Sequence, residues 1–268
     1  MNPDSRSSYD SAAREFEDHR GLPAGVPEAV RAAVWRSVGA AKGRVLDLGA
    51  GTGRFGRAFV AATDFYVGVD SSIAMLEEFA ALGRALGPAP ARLVQADGAV
   101  LPFRDATFDI ILLIQVLSEG GGWRELLADA RRVLRAGGAC VVGRTLKPPD
   151  GVDTRLKSQL SAILEDMGAE SQRPRGHRVN ALTWLEEQAA ERRSVIATSW
   201  TSERSVRRYV DRHQTGHRFT QLPGPVRDQA MRRLREWGTA TFGSLDAVFP
   251  ETYEFELQTF RFRSKGAQ

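Results

Sequence analysis

The segment "RVLDLGAGTGRFG", Arg44 to Gly56, constrains the chain more than any other, because a short apolar run that ends in spaced glycines reads as a strand turning tightly into a helix. Two cofactor fingerprints overlap in it. From Gly51 it is G-x-G-x-x-G (Gly51, Gly53, Gly56), the loop of a dinucleotide site; from Asp47 it is D-x-G-x-G-x-G (Asp47, Gly49, Gly51, Gly53).

The alternation begun there continues. "DFYVGVD", "ARLVQAD", "FDIILLIQVL" and "GACVVGRT" read as four more strands. Between them "SSIAMLEEFAALGRAL" and "WRELLADARRVLRAGG" carry apolar residues at helical spacing, the second closed by Gly137 and Gly138. Strands alternating with helices predict an α/β fold, a parallel sheet covered on both faces. Ahead of the first strand, one helix starts near Ser7 with Tyr9, Ala13 and Phe16 on one face. A second opens at Pro27, carries Val30, Val34 and Val38, and stops at Gly39. After the fifth strand, residues 153–168 and 179–190 read as helices, "RRSVIATSW" as a sixth strand, and Ser202 as the cap of a helix through Arg212. Pro225 opens another helix with Val226, Ala230, Leu234 and Trp237 in line. The closing "ETYEFELQTFRFR" alternates Tyr253, Phe255 and Leu257 against polar neighbours, as an antiparallel strand at or near an edge would.

A chain of 268 residues suits one such domain with insertions. The expected division is a helical cap over residues 1–40, then the domain proper over 41–268 with helical insertions at about 150–190 and 202–245. The longest apolar stretch, Phe108 to Leu117, falls short of the roughly 18 residues of a membrane span, and the amino terminus is polar, so a cytoplasmic protein with no membrane partner is expected. Cys140 lies in the apolar "GGACVVG" and reads as a buried strand residue. The net charge of +4 is concentrated in residues 151–240, with 16 Lys+Arg against 11 Asp+Glu. That stretch has no recognisable RNA-binding module and no interleaving of aromatic with basic residues, so nucleic acid is not the expected partner. A monomer or homodimer is expected.

The acids at the strand ends decide between the fingerprints. A pyrophosphate on the glycine loop would be repelled by Asp47, which ends the preceding strand. A ligand with an ammonium group would welcome it, and S-adenosylmethionine has one, along with a sulfonium and an adenosine but no phosphate. Asp70, 19 residues after Gly51, stands where it can accept both ribose hydroxyl hydrogens. Asp97, closing "VQADG", can accept from the adenine amino group. Three acids thus end three successive strands on the edge where open α/β sheets bind ligands.

The pieces "VLDLGAGTGRFG", "GVDSSIAML", "VQADGAVLPFRDATFDIILLIQVL" and "LLADARRVLRAGGACVVG" resemble the class I S-adenosylmethionine-dependent methyltransferases, in particular the group of the ubiquinone and menaquinone methyltransferases. The resemblance covers roughly residues 44 to 143. It implies a Rossmann-like, mostly parallel sheet of seven strands with the last one antiparallel and inserted beside the sixth, helices on both faces, and helical lid insertions. It also implies a cofactor set of Asp47, Gly49, Ala50, Gly51, Thr52, Gly53, Asp70, Ser71, Met75, Ala96, Asp97, Gly98 and Gln115. Many relatives carry a histidine in a segment like "HVLEH", where this chain has "QVLSEGGG" with Gln115 and Glu119. No N/D-P-P-Y/F motif is present, which argues against adenine or glutamine amide nitrogen as acceptor.

Methyl transfer is an in-line displacement that depends on alignment. A base is needed only if the acceptor is protonated, and the candidates are His19, His177, His213, His217 and Glu119. His213 and His217 have the i, i+4 spacing of a zinc pair, but no clustered third ligand accompanies them and no metal is expected. Tyr9, Phe16, Trp123, Tyr209 and Phe219 are the candidate walls of a small-molecule pocket, with Tyr9 and Phe16 on a lid.

Overall fold

The computed structural model describes residues 20–84, 91–117, 122–169, 177–215 and 217–262 of the chain. Its spine is a sheet of β1 (Arg44–Leu48), β2 (Phe65–Asp70), β3 (Arg92–Gln95), β4 (Phe108–Ile114), β5 (Leu134–Leu146), β6 (Ala189–Ser205) and β7 (Val248–Phe262). The spatial order is β3-β2-β1-β4-β5-β7-β6. Strands β1 to β5 pair in parallel, and β7 runs antiparallel to both β5 and β6. This is the Rossmann-like sheet that the resemblance implies. The strand order reverses between β1 and β4, so the ligand crevice of such a fold lies beyond their carboxyl ends.

Both faces of the sheet are covered. On one face α1 (Val26–Val38), α2 (Gly56–Ala61) and α3 (Ile73–Gly83) bury Val30, Val34, Phe59 and Phe79 against Val45, Ile110, Leu112, Phe255 and Leu257. On the other, α4 (Trp123–Val133) and α6 (His177–Gln188) close over Leu46, Val69, Ile111, Leu113 and Phe260. Helix α1 follows from its sequence: a proline sits in the first turn, Val30 and Val34 are 0% exposed, and Gly39 ends it in the left-handed region. Each such valine contributes about 1.5–3 kcal/mol. Helix α1 therefore packs as part of the sheet's own core.

A third core lies beyond the carboxyl edge. There α5 (Val152–Asp166), α7 (Val206–Gln214), the short α8 (His217–Thr220) and α9 (Gly224–Phe242) enclose Leu156, Tyr209, Val210, Ala230 and Leu234.

The structure shifts two sequence expectations. Ser202 does not cap a helix; it pairs with Glu251 inside β6, and the cap is Ser205, whose Oγ accepts from Arg208 N at 3.3 Å. The reason is length: β7 runs for 15 residues and β6 pairs along it as far as Ser205, so ladder hydrogen bonds win over a local cap. Helix α4 stops at Val133, ahead of Gly137 and Gly138, because Leu134 is already extended and pairs with Phe108. The exposed edge strand β6 is blunted by Glu191, Arg192 and Arg193 and by two register breaks. Cys140 is buried in β5, and burial pushes its thiol up to about 12. Among the described residues no helix is long and apolar enough to cross a membrane.

Candidate functional site

The loop after β1 is wound as its glycines require. Gly49 and Gly53 have φ of +74° and +79°. A Cβ on Gly49 would lie 2.8 Å from Val116 Cγ2, and one on Gly53 would lie 2.5 Å from the Phe79 ring, so the loop lies close against the end of β4 and against α3. Gly56, the third glycine of the dinucleotide pattern, has a different explanation: a Cβ there would collide with the Tyr66 hydroxyl.

Asp70 ties the loop to the next element. Its Oδ2 accepts from Gly51 N at 2.8 Å and its Oδ1 from Ser72 N at 2.9 Å, joining the glycine loop to the start of α3. Asp97, just past β3, accepts from Ala99 N at 2.9 Å, and Ala96 N donates to the Asp70 carbonyl at 3.1 Å, which brings the ends of β2 and β3 together. Asp47 is deeper. It is 4% exposed and accepts from Tyr66 Oη at 2.7 Å. Burial pushes its carboxyl up to about 7; the Tyr66 hydroxyl opposes the shift and Asp70 adds to it.

The remaining predicted cofactor residues surround these three. Ala50, Ser71, Ala96 and Gly98 are half-buried, while Thr52 and Met75 are buried. Ser72 rather than Ser71 caps α3, its Oγ accepting from Met75 N at 3.3 Å. Gln115 takes φ of +60°, a conformation that costs a non-glycine residue about 1–3 kcal/mol and persists where surroundings enforce it. Its side chain is held at both ends: Oε1 accepts from Arg54 Nη2 at 2.8 Å, and Nε2 donates to Thr145 Oγ1 at 2.9 Å. Arg54 also donates to the Arg20 carbonyl at 2.6 Å. Sequence reasoning missed Arg54, Tyr66 and Thr145 as members of this network. Arg54 and Tyr66 lie inside segments already read as loop and strand, and nothing in the sequence signals Thr145.

The acceptor-side candidates fare differently. Tyr9, Phe16, His19 and Glu119 lie outside the described residues, as do the side chains of His177 and His217. Trp123, expected at a pocket wall, is 6% exposed in the core beneath α4, with the Arg124 guanidinium 4.4 Å over its ring. Tyr209 and Phe219, also expected at a wall, belong to the helical third core at 0% and 6% exposure. His213 is engaged with Asp153, its Nε2 3.3 Å from Oδ1.

Residues 45–138 match a family model described as a methyltransferase domain. Over those residues the chain carries a methyltransferase domain. Among curated proteins, this domain is similar to a demethylmenaquinone methyltransferase from Clavibacter sepedonicus, 35% identical over 150 residues, 54% of this chain and 60% of that one. It is also similar to the uncharacterized methyltransferase YcgJ of Bacillus subtilis, 31% identical over 123 residues, 46% of this chain and 49% of the relative. The chain thus spans about half the length of these relatives. The crystal structure of YcgJ superposes with a TM-score of 0.55 at 20% identity, covering 87% of this chain and 97% of that one. A phosphoethanolamine N-methyltransferase from Haemonchus contortus, solved with S-adenosylhomocysteine, shares the fold at a TM-score of 0.51 and 14% identity, covering 97% of this chain and 60% of that one. In the methyltransferase domain defined this way, the glycine loop, Asp70 and Asp97 occupy the carboxyl edge of β1, β2 and β3.

Proposed function

We propose that the protein transfers a methyl group from S-adenosylmethionine to a small-molecule acceptor. The observation that carries this reading is the double grip of Asp70 on Gly51 N and Ser72 N, which preorganises a carboxylate beside the glycine loop, where it would hold a ribose diol. Asp97 would hold the adenine amino group, and the Gly49–Gly53 backbone with Asp47 would hold the amino-acid end. The bound cofactor supplies an electrophilic methyl on sulfonium. The chain's part is to align an acceptor with it and to exclude water.

Two observations weigh against the dinucleotide alternative. Gly56 is required by Tyr66 without any phosphate, and the buried Asp47 would repel one. Many arginines of the basic second half are engaged internally, as in Arg207–Asp246, Arg212–Asp153, Arg233–Asp166 and Arg235–Asp211, which favours a small acceptor over nucleic acid. A demethylmenaquinone methyltransferase among the relatives and a structural neighbour holding S-adenosylhomocysteine are consistent with this reading.

Calorimetry tests it. S-adenosylmethionine and S-adenosylhomocysteine are expected to bind in the micromolar range and NADH not at all. Asp70→Ala is expected to weaken S-adenosylhomocysteine by about 1.5–3 kcal/mol, some 10- to 150-fold, through loss of charged hydrogen bonds. Tight NADH binding, or an Asp70→Ala variant with unchanged affinity, sinks the reading.

A further inference from the structure

Because β7 is antiparallel, it enters the sheet at the edge where β5 leaves it: Leu146, the last residue of β5, pairs with Glu254. The residues before Glu254 therefore stand beyond the carboxyl edge, beside the third core. There the alternation of β7 breaks chemically. Its inward positions are Glu251, Tyr253, Phe255 and Leu257, exposed 5%, 5%, 0% and 0%. A carboxylate thus occupies a phase that otherwise takes rings and aliphatic chains.

Its two oxygens differ. Oε2 accepts from the Tyr253 hydroxyl at 2.5 Å. The Tyr209 hydroxyl lies 3.3 Å from that of Tyr253. The Tyr253 hydrogen takes the shorter, charge-assisted contact, and the Tyr209 hydroxyl also has the Glu251 carboxylate among its hydrogen-bond partners, so both phenols gather on the one acid. Oε1 has no hydrogen-bond partner among the described residues. It faces the turn between β5 and α5, where a Cβ at Gly151 would collide with it.

Among the described residues, the cations of this edge contact other groups. Lys147 and Arg212 converge on Asp153, and Arg204 donates to Ser202 Oγ at 3.1 Å and to the Gly21 carbonyl at 3.4 Å. A buried carboxylate without a counter-ion is costly, and removal of such a charge often stabilises a protein. The surroundings suit a cation: Trp200 stacks on Tyr253 with centroids 5.7 Å apart and planes at 22°, and aromatic faces attract cations.

We propose that Glu251, with Tyr253, Tyr209 and Trp200, is the recognition site for a cationic amine on the methyl acceptor, the amine supplying a counter-charge that the described residues do not. This deepens the methyltransferase reading and rests on it for the word acceptor.

The test uses three probes with one ring and one chain length: 2-phenylethylammonium, 2-phenylethanol and phenylacetate. Each is titrated by calorimetry and ligand-observed NMR into the full chain, wild type and Glu251→Gln. The wild type is expected to bind the ammonium at least tenfold tighter than the alcohol or the carboxylate. Glu251→Gln is expected to erase that preference, to keep S-adenosylhomocysteine affinity within twofold, and to melt at the same or a higher temperature. Equal binding of the three probes, no binding of the ammonium at millimolar concentration, or a Glu251→Gln variant that keeps the preference overturns the proposal. A fall in melting temperature with no change in probe binding makes Glu251 a structural carboxylate and overturns it too. Failure of the methyltransferase reading itself would appear separately, as loss of S-adenosylhomocysteine binding by the wild type.

Discussion

Asp153→Ala is expected to lower the unfolding free energy by about 3–5 kcal/mol, because it breaks a buried ion cluster by removing the only anion among its described members. Asp153 is 0% exposed in the first turn of α5. Lys147 Nζ reaches its Oδ2, Arg212 Nη1 lies 2.9 Å from the same oxygen, and His213 Nε2 lies 3.3 Å from Oδ1. Burial opposes ionisation of Asp153, but His213, Arg212 and Lys147 outweigh it and hold the carboxyl well below the usual carboxylate range. Lys147 is pushed the other way, down, first by burial and then by Arg212. The two partners are therefore not equivalent, and Lys147→Met is expected to cost about 1 kcal/mol or less. For a depressed carboxyl, the stabilisation is complete above its unfolded value and lost as pH falls through its folded one. The Asp153 contribution should accordingly be intact at pH 5 and above and decline only below the ordinary carboxylate range. Urea unfolding of both variants at pH 7 and pH 3 measures this. A loss under about 1 kcal/mol for Asp153→Ala would remove Asp153 as the clasp between α5 and α7.

The sheet was legible because its signals are local and repeated. The β4 segment "FDIILLI" is apolar almost throughout, as a strand buried on both faces must be, and β7 alternates from Glu251 to Phe255 but is buried without a break from Leu257 to Phe260, where both of its faces meet a core. Boundaries failed where a distant partner decided them. Ser202 looks like a cap in isolation, yet β7 extends β6 past it, and the sequence around Ser202 carries no trace of that length.

The residues proposed for the cofactor could be located for a similar reason. Asp47, Gly49, Gly51, Gly53, Asp70 and Asp97 sit at fixed offsets from strands that periodicity reveals. The side-chain networks around it join chain segments far apart in sequence: Gln115 with Thr145 and Arg54, and, in the site proposed for the acceptor, Tyr209 with Tyr253 and Glu251. Aromatic character alone pointed to Trp123, Tyr209 and Phe219, and a buried ring gives the same sequence signal whether it lines a pocket or fills a core. Glu251 did leave a trace, a charge in the buried phase of "ETYEFEL", and that kind of phase violation is the more specific marker.

Asp47→Asn is expected to act oppositely to Asp153→Ala, stabilising the unliganded protein above neutral pH while weakening its hold on the cofactor. Asp47 is 4% exposed with one described hydrogen-bond donor, Tyr66, and burial, partly opposed by that donor and reinforced by Asp70, raises its carboxyl from the ordinary 3.8 to about 7. A carboxyl raised in the native state keeps its proton where the unfolded chain has already lost it. Stability should therefore fall as pH rises from about 4 to about 7 and stay level beyond, a full span worth about 4 kcal/mol. An asparagine amide oxygen still accepts from Tyr66 and carries no charge to desolvate, so the variant should gain on wild type across that window by up to that amount. An ammonium beside Asp47 favours the ionised form, so binding of S-adenosylhomocysteine by the wild type should release a proton near pH 6 and tighten as pH rises to about 7. Neither effect should survive in Asp47→Asn. Urea unfolding at pH 5 and pH 8, with calorimetry in buffers of different ionisation enthalpy, reads both. A stability difference between the two proteins that does not change from pH 5 to pH 8 would mean that Asp47 ionises freely beneath the loop, and its link to the ammonium end of the cofactor would go with it.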